Sequence, residues 1–207
     1  MGTNIESVDY KKLPSYANEM RTTGKALNNS MTKAYTEIGN LSNNWYGVRY
    51  DALVTECNKI VPNINEMLDL VVDTIPYTLQ TIASNYAKVD GGSTAAPTNQ
   101  KATKITNVKK SGKDTMKFVE SSVNSSKSTI FNSFKDAISK MDSIESTFNS
   151  KIKGAWKSDA ANAYAKKFSQ LKSEITTSIG NIQKSFDKLV EQTIQDMSKT
   201  ENANTVS

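Results

Sequence analysis

From Leu13 onward, apolar or small residues recur in alternating steps of four and three: Leu13, Ala17, Met20, Gly24, Leu27, Met31, Ala34, Ile38, Leu41 and Trp45. Such steps keep side chains on one face of an α-helix, whereas a strand needs strict alternation. The stripe is narrow, the seam of a helix packed lengthwise on a partner. Three more stripes follow. The second runs Leu53, Cys57, Ile60, Ile64, Met67, Val71, Ile75, Leu79, Ile82, Tyr86. The third runs Met116, Val119, Val123, Ile130, Phe134, Ala137, Met141, Ile144, Phe148, Ile152. The fourth runs Tyr164, Phe168, Leu171, Ile175, Ile179, Ile182, Phe186, Val190, Ile194, Met197. A helix with one narrow apolar stripe gains its stability when another helix covers that stripe. Four stripes therefore predict an all-α protein whose helices cover one another. Hydrophobic residues make up 37% of the 207, which suits such seams and is low for a thick globular core.

Punctuation divides the stripes. Pro14 is tolerated in a first turn, so the first helix is expected to start near it. Asn43-Asn44 breaks the pattern and suits a turn or an N-cap. Pro62 and Pro76 fall inside the second stripe, and each predicts a bend. Gly91 and Gly92 suit a helix C-terminus, and Pro97 keeps the chain out of a helix. Gly154 is expected to end the third helix, and the tail "ENANTVS" carries no pattern and is expected to be mobile. The order is helix, tight turn, helix, linker, helix, tight turn, helix. Residues 7–90 form one unit, 91–111 a polar lysine-rich linker and 112–201 a second unit. Superposing Trp45 on Trp156 aligns Ile60 with Leu171, Ile64 with Ile175, Leu68 with Ile179, Ile75 with Phe186 and Leu79 with Val190. The chain reads as a helical hairpin written twice.

Composition excludes several functions. There is no histidine, which removes the usual general base and the commonest metal ligand. The one cysteine, Cys57, lies on a stripe and reads as a buried apolar residue that forms no internal disulfide. No glycine-rich phosphate loop is present, and the carboxylates fall on polar helix faces. No catalytic residue, metal or cofactor is expected. Six lysines between Lys101 and Lys117 face one acid, Asp114, and read as a solvated linker. The aromatic residues lie on the seams rather than among these lysines, so nucleic acid is not an expected partner. No apolar run approaches the roughly 20 residues a membrane span needs. The opening "MGTNIESVDYKK" lacks a basic stretch followed by an apolar core, so no cleavable signal is expected. Glu6 occupies the position where N-myristoylation needs Ser or Thr.

What remains are the two turns. "NNWYGVRY" carries Trp45 and Gly47; "GAWKSDAANAY" carries Trp156, with Ser158 where the first has glycine. Gly47 allows a left-handed or crowded backbone, and Trp45 can bury its ring against both helices of a hairpin. Taken alone, Trp-x-Gly reads as a hairpin cap. About 41 residues after Trp45, "YAKVD" closes the second helix with Tyr86 and Asp90 four apart, on one helical face. A hairpin of about 90 residues with Trp-x-Gly at its turn and Tyr-x-x-x-Asp at its end resembles the WXG family, the early-secreted-antigen-like substrates of type VII secretion. The resemblance covers residues 7–90. Residues 112–201 match in architecture but carry Ser158 for the glycine, and Met197 and Glu201 at the positions of Tyr86 and Asp90.

The resemblance implies a virulence-associated protein exported by a bacterial type VII system without a cleavable signal, cytoplasmic before export and extracellular after it. Tyr86 and Asp90 would be its secretion signal, Met197 and Glu201 a degenerate copy. The membrane ATPase of the system would be its partner, with a co-secreted protein or a second copy of itself as others. Single-hairpin members of the family pair into antiparallel four-helix bundles, so two fused hairpins are expected to form an elongated four-helix bundle, an intramolecular pseudo-dimer. Helices of about 40 residues are about 60 Å long, and a linker of about 22 residues reaches about 73 Å, enough to return along one. A side-by-side arrangement, or hairpins exchanged between two chains, satisfies the stripes as well. The alternative function is a cytoplasmic helical adaptor or chaperone for a larger type VII toxin. Membrane attachment by an amphipathic helix ranks last, because the narrow stripes favour helix partners over lipid.

Overall fold

The computed structural model describes residues 5–113 and 115–204. Among them the protein is an all-α helical bundle with four long helical stretches. In chain order the elements are β1 (Ile5–Val8), α1 (Leu13–Asn40), a 3-10 turn (Leu41–Asn43), β2 (Trp45–Tyr46), α2 (Val48–Asn58), α3 (Val61–Asp69), a π-helical turn (Leu70–Thr74) and α4 (Ile75–Val89). After a long extended segment come β3 (Lys117–Phe118), α5 (Glu120–Thr147), a second π-helical turn (Phe148–Ile152), α6 (Lys153–Ala155), β4 (Trp156–Ser158) and α7 (Asp159–Asn204).

The seams fold as their spacing predicts. Every residue of the first stripe is buried, and so are Leu53 to Leu79 of the second, Val123 to Ile152 of the third and Phe168 to Val190 of the fourth. They join in one apolar core shared by both halves of the chain. The stripe ends differ. Met116 and Val119 are exposed, because α5 begins only at Glu120. Gly154 stands one residue before the end of the third helical stretch, which stops at Ala155, and α7 runs on through residues 201–204 of the tail expected to be mobile. Thr205 to Ser207 and Asp114 lie outside the described residues, as do residues 1–4 of the opening segment.

α1 lies along α5 and also against α4 and the first π-helical turn, while α7 lies on α2, α3 and α5. Polar contacts fix the directions. Glu19 meets Lys151, and Glu37 accepts from Ser126, so α1 and α5 run antiparallel. Arg49 pairs with Asp196, Glu66 with Lys167, and Thr78 meets the Tyr164 hydroxyl at 3.4 Å, so α7 runs antiparallel to α2–α4.

Both prolines of the second stretch stand in the first turn of a new helix: α2 stops at Asn58 before Pro62, and the π-helical turn leads without a gap into α4 at Pro76. A break leaves backbone carbonyls without their helical partners, and a buried carbonyl needs another donor. α1 supplies both. The Tyr35 hydroxyl donates to the Cys57 carbonyl at 2.5 Å, at the end of α2. Arg21 Nε donates at 3.2 Å to the carbonyl of Val72, four residues before Pro76, whose ring nitrogen has no hydrogen to offer. Tyr35 and Arg21 are both buried. At the second break the helices nearly touch: a Cβ on Gly24 would stand 3.0 Å from methyls of Val71 and Val72.

The lysine-rich segment keeps its lysines exposed, as its composition suggests, but it is not a loose tether. It is laid as a strap in the groove between α1 and α2–α4. The Thr98 amide donates to Gln80, the Gln100 amide to Asp73, and the Ser111 amide to Asp51. Asn28 of α1 holds the Thr103 carbonyl from the other side.

Candidate functional site

The two tryptophan turns stand at opposite ends of the molecule, and each is closed by the other half of the chain. At the first, β2 pairs antiparallel with β3, Trp45 opposite Phe118 and Tyr46 opposite Lys117. The Val119 amide continues the ladder to the Asn44 carbonyl at 2.9 Å. At the second, β4 pairs antiparallel with β1, with Val8 opposite Trp156 and Ser7 opposite Lys157. There the Asp9 amide donates to the Ala155 carbonyl at 2.7 Å. In both places the segment leading into one half's first helix crosses to the tryptophan turn of the other.

Trp45 is 1% exposed and meets the rings of Tyr50, Phe118 and Phe186 edge-on, at centroid distances of 6.4, 5.8 and 5.6 Å. Two of these three come from the second half. Gly47 has φ 112°, a region L side chains rarely adopt, and it leads directly into α2. Lys113 stands over the Tyr46 ring, 4.0 Å from its centroid. Met197, half-buried, and Glu201, exposed, lie just beyond Asp196 on α7, at this same end.

Trp156 is 3% exposed and packs on the Tyr164 ring of its own half, with 6.2 Å between centroids. Ser158 is buried, and its Oγ accepts the Ala161 amide at 3.1 Å, an N-cap for α7. The end of α4 lies beside this turn. The helix stops with Gly91 at φ 71°: the Gly92 amide bonds the Ala87 carbonyl at 2.8 Å and the Gly91 amide the Lys88 carbonyl at 3.2 Å. That pair of bonds is a Schellman stop, as the two glycines predict. Tyr86 is half-buried in the last turn, and its carbonyl accepts the Asp90 amide at 3.0 Å. The Asp90 carboxylate accepts the Tyr10 hydroxyl, and Tyr10 lies two residues after the β1 residue that pairs with Trp156. That hydrogen bond raises the Tyr10 pKa above its ordinary value.

The fold thus brings Tyr86 and Asp90 together with Trp156 and Ser158 at one end, and Met197 and Glu201 with Trp45 and Gly47 at the other. It separates Trp45 from Tyr86 and Asp90 by the length of α2–α4. Tyr10 and the strap carry no motif that points to them. Cys57 is buried, which pushes its thiol up to about 12. Among the described residues no cluster of three or more metal-ligating side chains occurs, and no helix is long and apolar enough to cross a membrane. Comparison with protein-family models, with curated proteins and with solved structures finds no match.

Proposed function

We propose that the chain is an exported substrate of a bacterial type VII secretion system, a non-enzymatic helical interaction protein built as an intramolecular pseudo-dimer of two helical hairpins. In this reading α1 with α2–α4 is one hairpin and α5 with α7 the other, and together they make an elongated four-helix bundle. The observation that carries it is the crosswise closure of the turns: β1 on β4, β3 on β2. Two separate hairpins that dimerise antiparallel would bring their ends together in this way.

The recognition surface is the end where α4 stops. There Tyr86, Asp90 and the Trp156 turn form one composite surface, which the exporter's membrane ATPase reads before the protein leaves the cell. Asp90 supports this assignment on energetic grounds. A carboxylate at a helix C-terminus opposes the helix dipole, so it costs stability there. Its bond to Tyr10 offsets that cost while leaving the side chain at the surface.

The test is export from the native host. Tyr86→Ala and Asp90→Ala are expected to abolish appearance of the protein in culture supernatant, with circular dichroism unchanged. Met197→Ala and Glu201→Ala are expected to matter less. Deleting the membrane ATPase is expected to retain the wild-type protein in the cell. A protein that stays inside a competent host is instead the cytoplasmic adaptor.

A further inference from the structure

The export reading makes no use of the strap, yet the strap is bound by a rule. Asp51, Asn58 and Asn65 stand seven residues apart on one face of α2–α3, a repeat of about 10.5 Å along a helix. Their partners Ser111, Val108 and Ile105 stand three residues apart, about 10 Å of extended chain. Because the repeats match, the same edge of the strap meets a polar side chain every two helical turns. Asn65 accepts the Ile105 amide at 2.8 Å and donates to its carbonyl at 2.9 Å; Asn58 does the same for Val108, both bonds at 2.9 Å. These bonds reach main-chain atoms, which any residue but proline offers in full. Side chains of the strap add to the ladder: Ile105 joins the core with Ala102 and Val108 packed beside it, and Thr98, Lys104 and Ser111 bond Arg21, Asp69 and Asp51. Every third side chain is turned inward at Ala102, Ile105, Val108 and Ser111, and among these only Ile105 is buried. The strap also leaves a cleft of about 250 Å³ between itself and α1, lined there by Thr32, Tyr35, Thr36 and Gly39. The kinked helix lines the groove with acids: Asp69 pairs with Lys104, and Asp51 and Asp73 each accept a strap amide.

We propose that this groove is a docking site for an extended, lysine-rich segment of a partner protein, and that the strap is its resident occupant in cis. The ladder reads a backbone, so the partner segment is defined by form: a small or apolar side chain at every third position, lysines between, and no proline opposite Asn58 or Asn65. Exchange is feasible because the strap's bonds are worth little net, water offering the same bonds to an open groove, and because Ile105 is its one buried side chain. A second copy is a poor occupant. It would replace one strap with an identical one and lose the high effective concentration of the tethered strap. The proposal stands apart from the export reading, since Tyr86 and Asp90 lie outside the ladder.

The probe is a fluorescent synthetic peptide of residues 98–113, titrated into the full chain carrying Ile105→Asp, which loosens the resident strap. Saturable binding is expected. Adding Asn58→Ala and Asn65→Ala is expected to weaken it at least about tenfold, as is a peptide whose apolar residues are moved one position along the sequence. No binding to an Ile105→Asp chain of native helicity, or binding indifferent to the asparagines, overturns the proposal. So does dimerisation of that chain with the peptide excluded, which gives the groove to a second copy. Hydrogen exchange on the wild-type chain tests the same point without a variant. The Ile105 and Val108 amides are expected to exchange far faster than those of α1, by local release of the strap; exchange only at the global unfolding rate contradicts it.

Discussion

The Trp45 and Trp156 turns do the same job by different chemistry. Each has a buried tryptophan, a short strand borrowed from the other half, and a helix that starts directly afterwards. In the first, Gly47 starts α2 with a positive φ. In the second, Ser158 starts α7 with an N-cap hydrogen bond, and among the described residues every positive φ belongs to a glycine. By sequence, Ser158 looks like a worn-out glycine. By structure it is a second way to begin a helix at the same point. The tryptophans differ too: Trp45 packs on rings from both halves, Trp156 on a ring from its own. What the two turns share is the crossing of the halves, and what differs is how each helix begins.

The difference can be broken experimentally, starting with the tryptophans. Trp45→Ala is expected to cost about 4 kcal/mol and Trp156→Ala nearer about 3 kcal/mol, because the first removes the ring that joins the halves. Chemical denaturation of the two variants orders them, and a larger loss at Trp156 reverses the comparison. Next come the helix starts. Gly47→Ser transplants the second solution into the first turn and is expected to cost about 1–2 kcal/mol, since serine resists the positive φ. Ser158→Ala is expected to cost about 1 kcal/mol, and Ser158→Gly only a few tenths. If Gly47→Ser is neutral by thermal unfolding, the two helix starts are interchangeable and the distinction falls.

The smallest expected effect is on pH dependence. The hydrogen bond from Lys151 holds Glu19 below its ordinary carboxylate pKa, and that from Lys172 does the same for Glu145. A depressed carboxylate contributes stability that is present above the unfolded value and lost as pH falls through the folded one. Both pairs sit on the α5 side of the Trp156 turn, so acidification below about pH 4.5 is expected to loosen that end. Hydrogen exchange near β4 measures it, and Glu19→Gln is expected to flatten the response. At high pH the sign reverses for Cys57 and Tyr50, both pushed up to about 12 by burial. Their protonated forms favour the fold, so stability is expected to decline as pH rises from about 9 towards 12.

The seams are legible in the sequence because a helix repeats its environment every few residues, and ten positions on one stripe leave little choice. The helix starts at Pro62 and Pro76 are legible because proline acts locally. The four short strands are not: two to four residues carry no period, and their partners lie far along the chain. Ser158 misleads because a cap and a missing glycine look alike until the Ala161 amide is placed. The strap is missed because its exposed lysines say nothing of the backbone bonds between them. The clues in that case are two repeats taken together, the inward positions Ala102, Ile105, Val108 at intervals of three and Asp51, Asn58, Asn65 at intervals of seven. Neither has meaning until the two segments are side by side.

The central claim is that each half of one chain closes the turn of the other half of the same chain. A disulfide across a crossing tests it directly, because paired residues of antiparallel strands stand close enough to bridge. In a Cys57→Ser background, Ser7→Cys and Lys157→Cys are expected to oxidise to a single intrachain bond, and the protein to remain a 22.8 kDa monomer on a non-reducing gel and in sedimentation at micromolar concentration. A disulfide-linked dimer, or two thiols that never join, contradicts it.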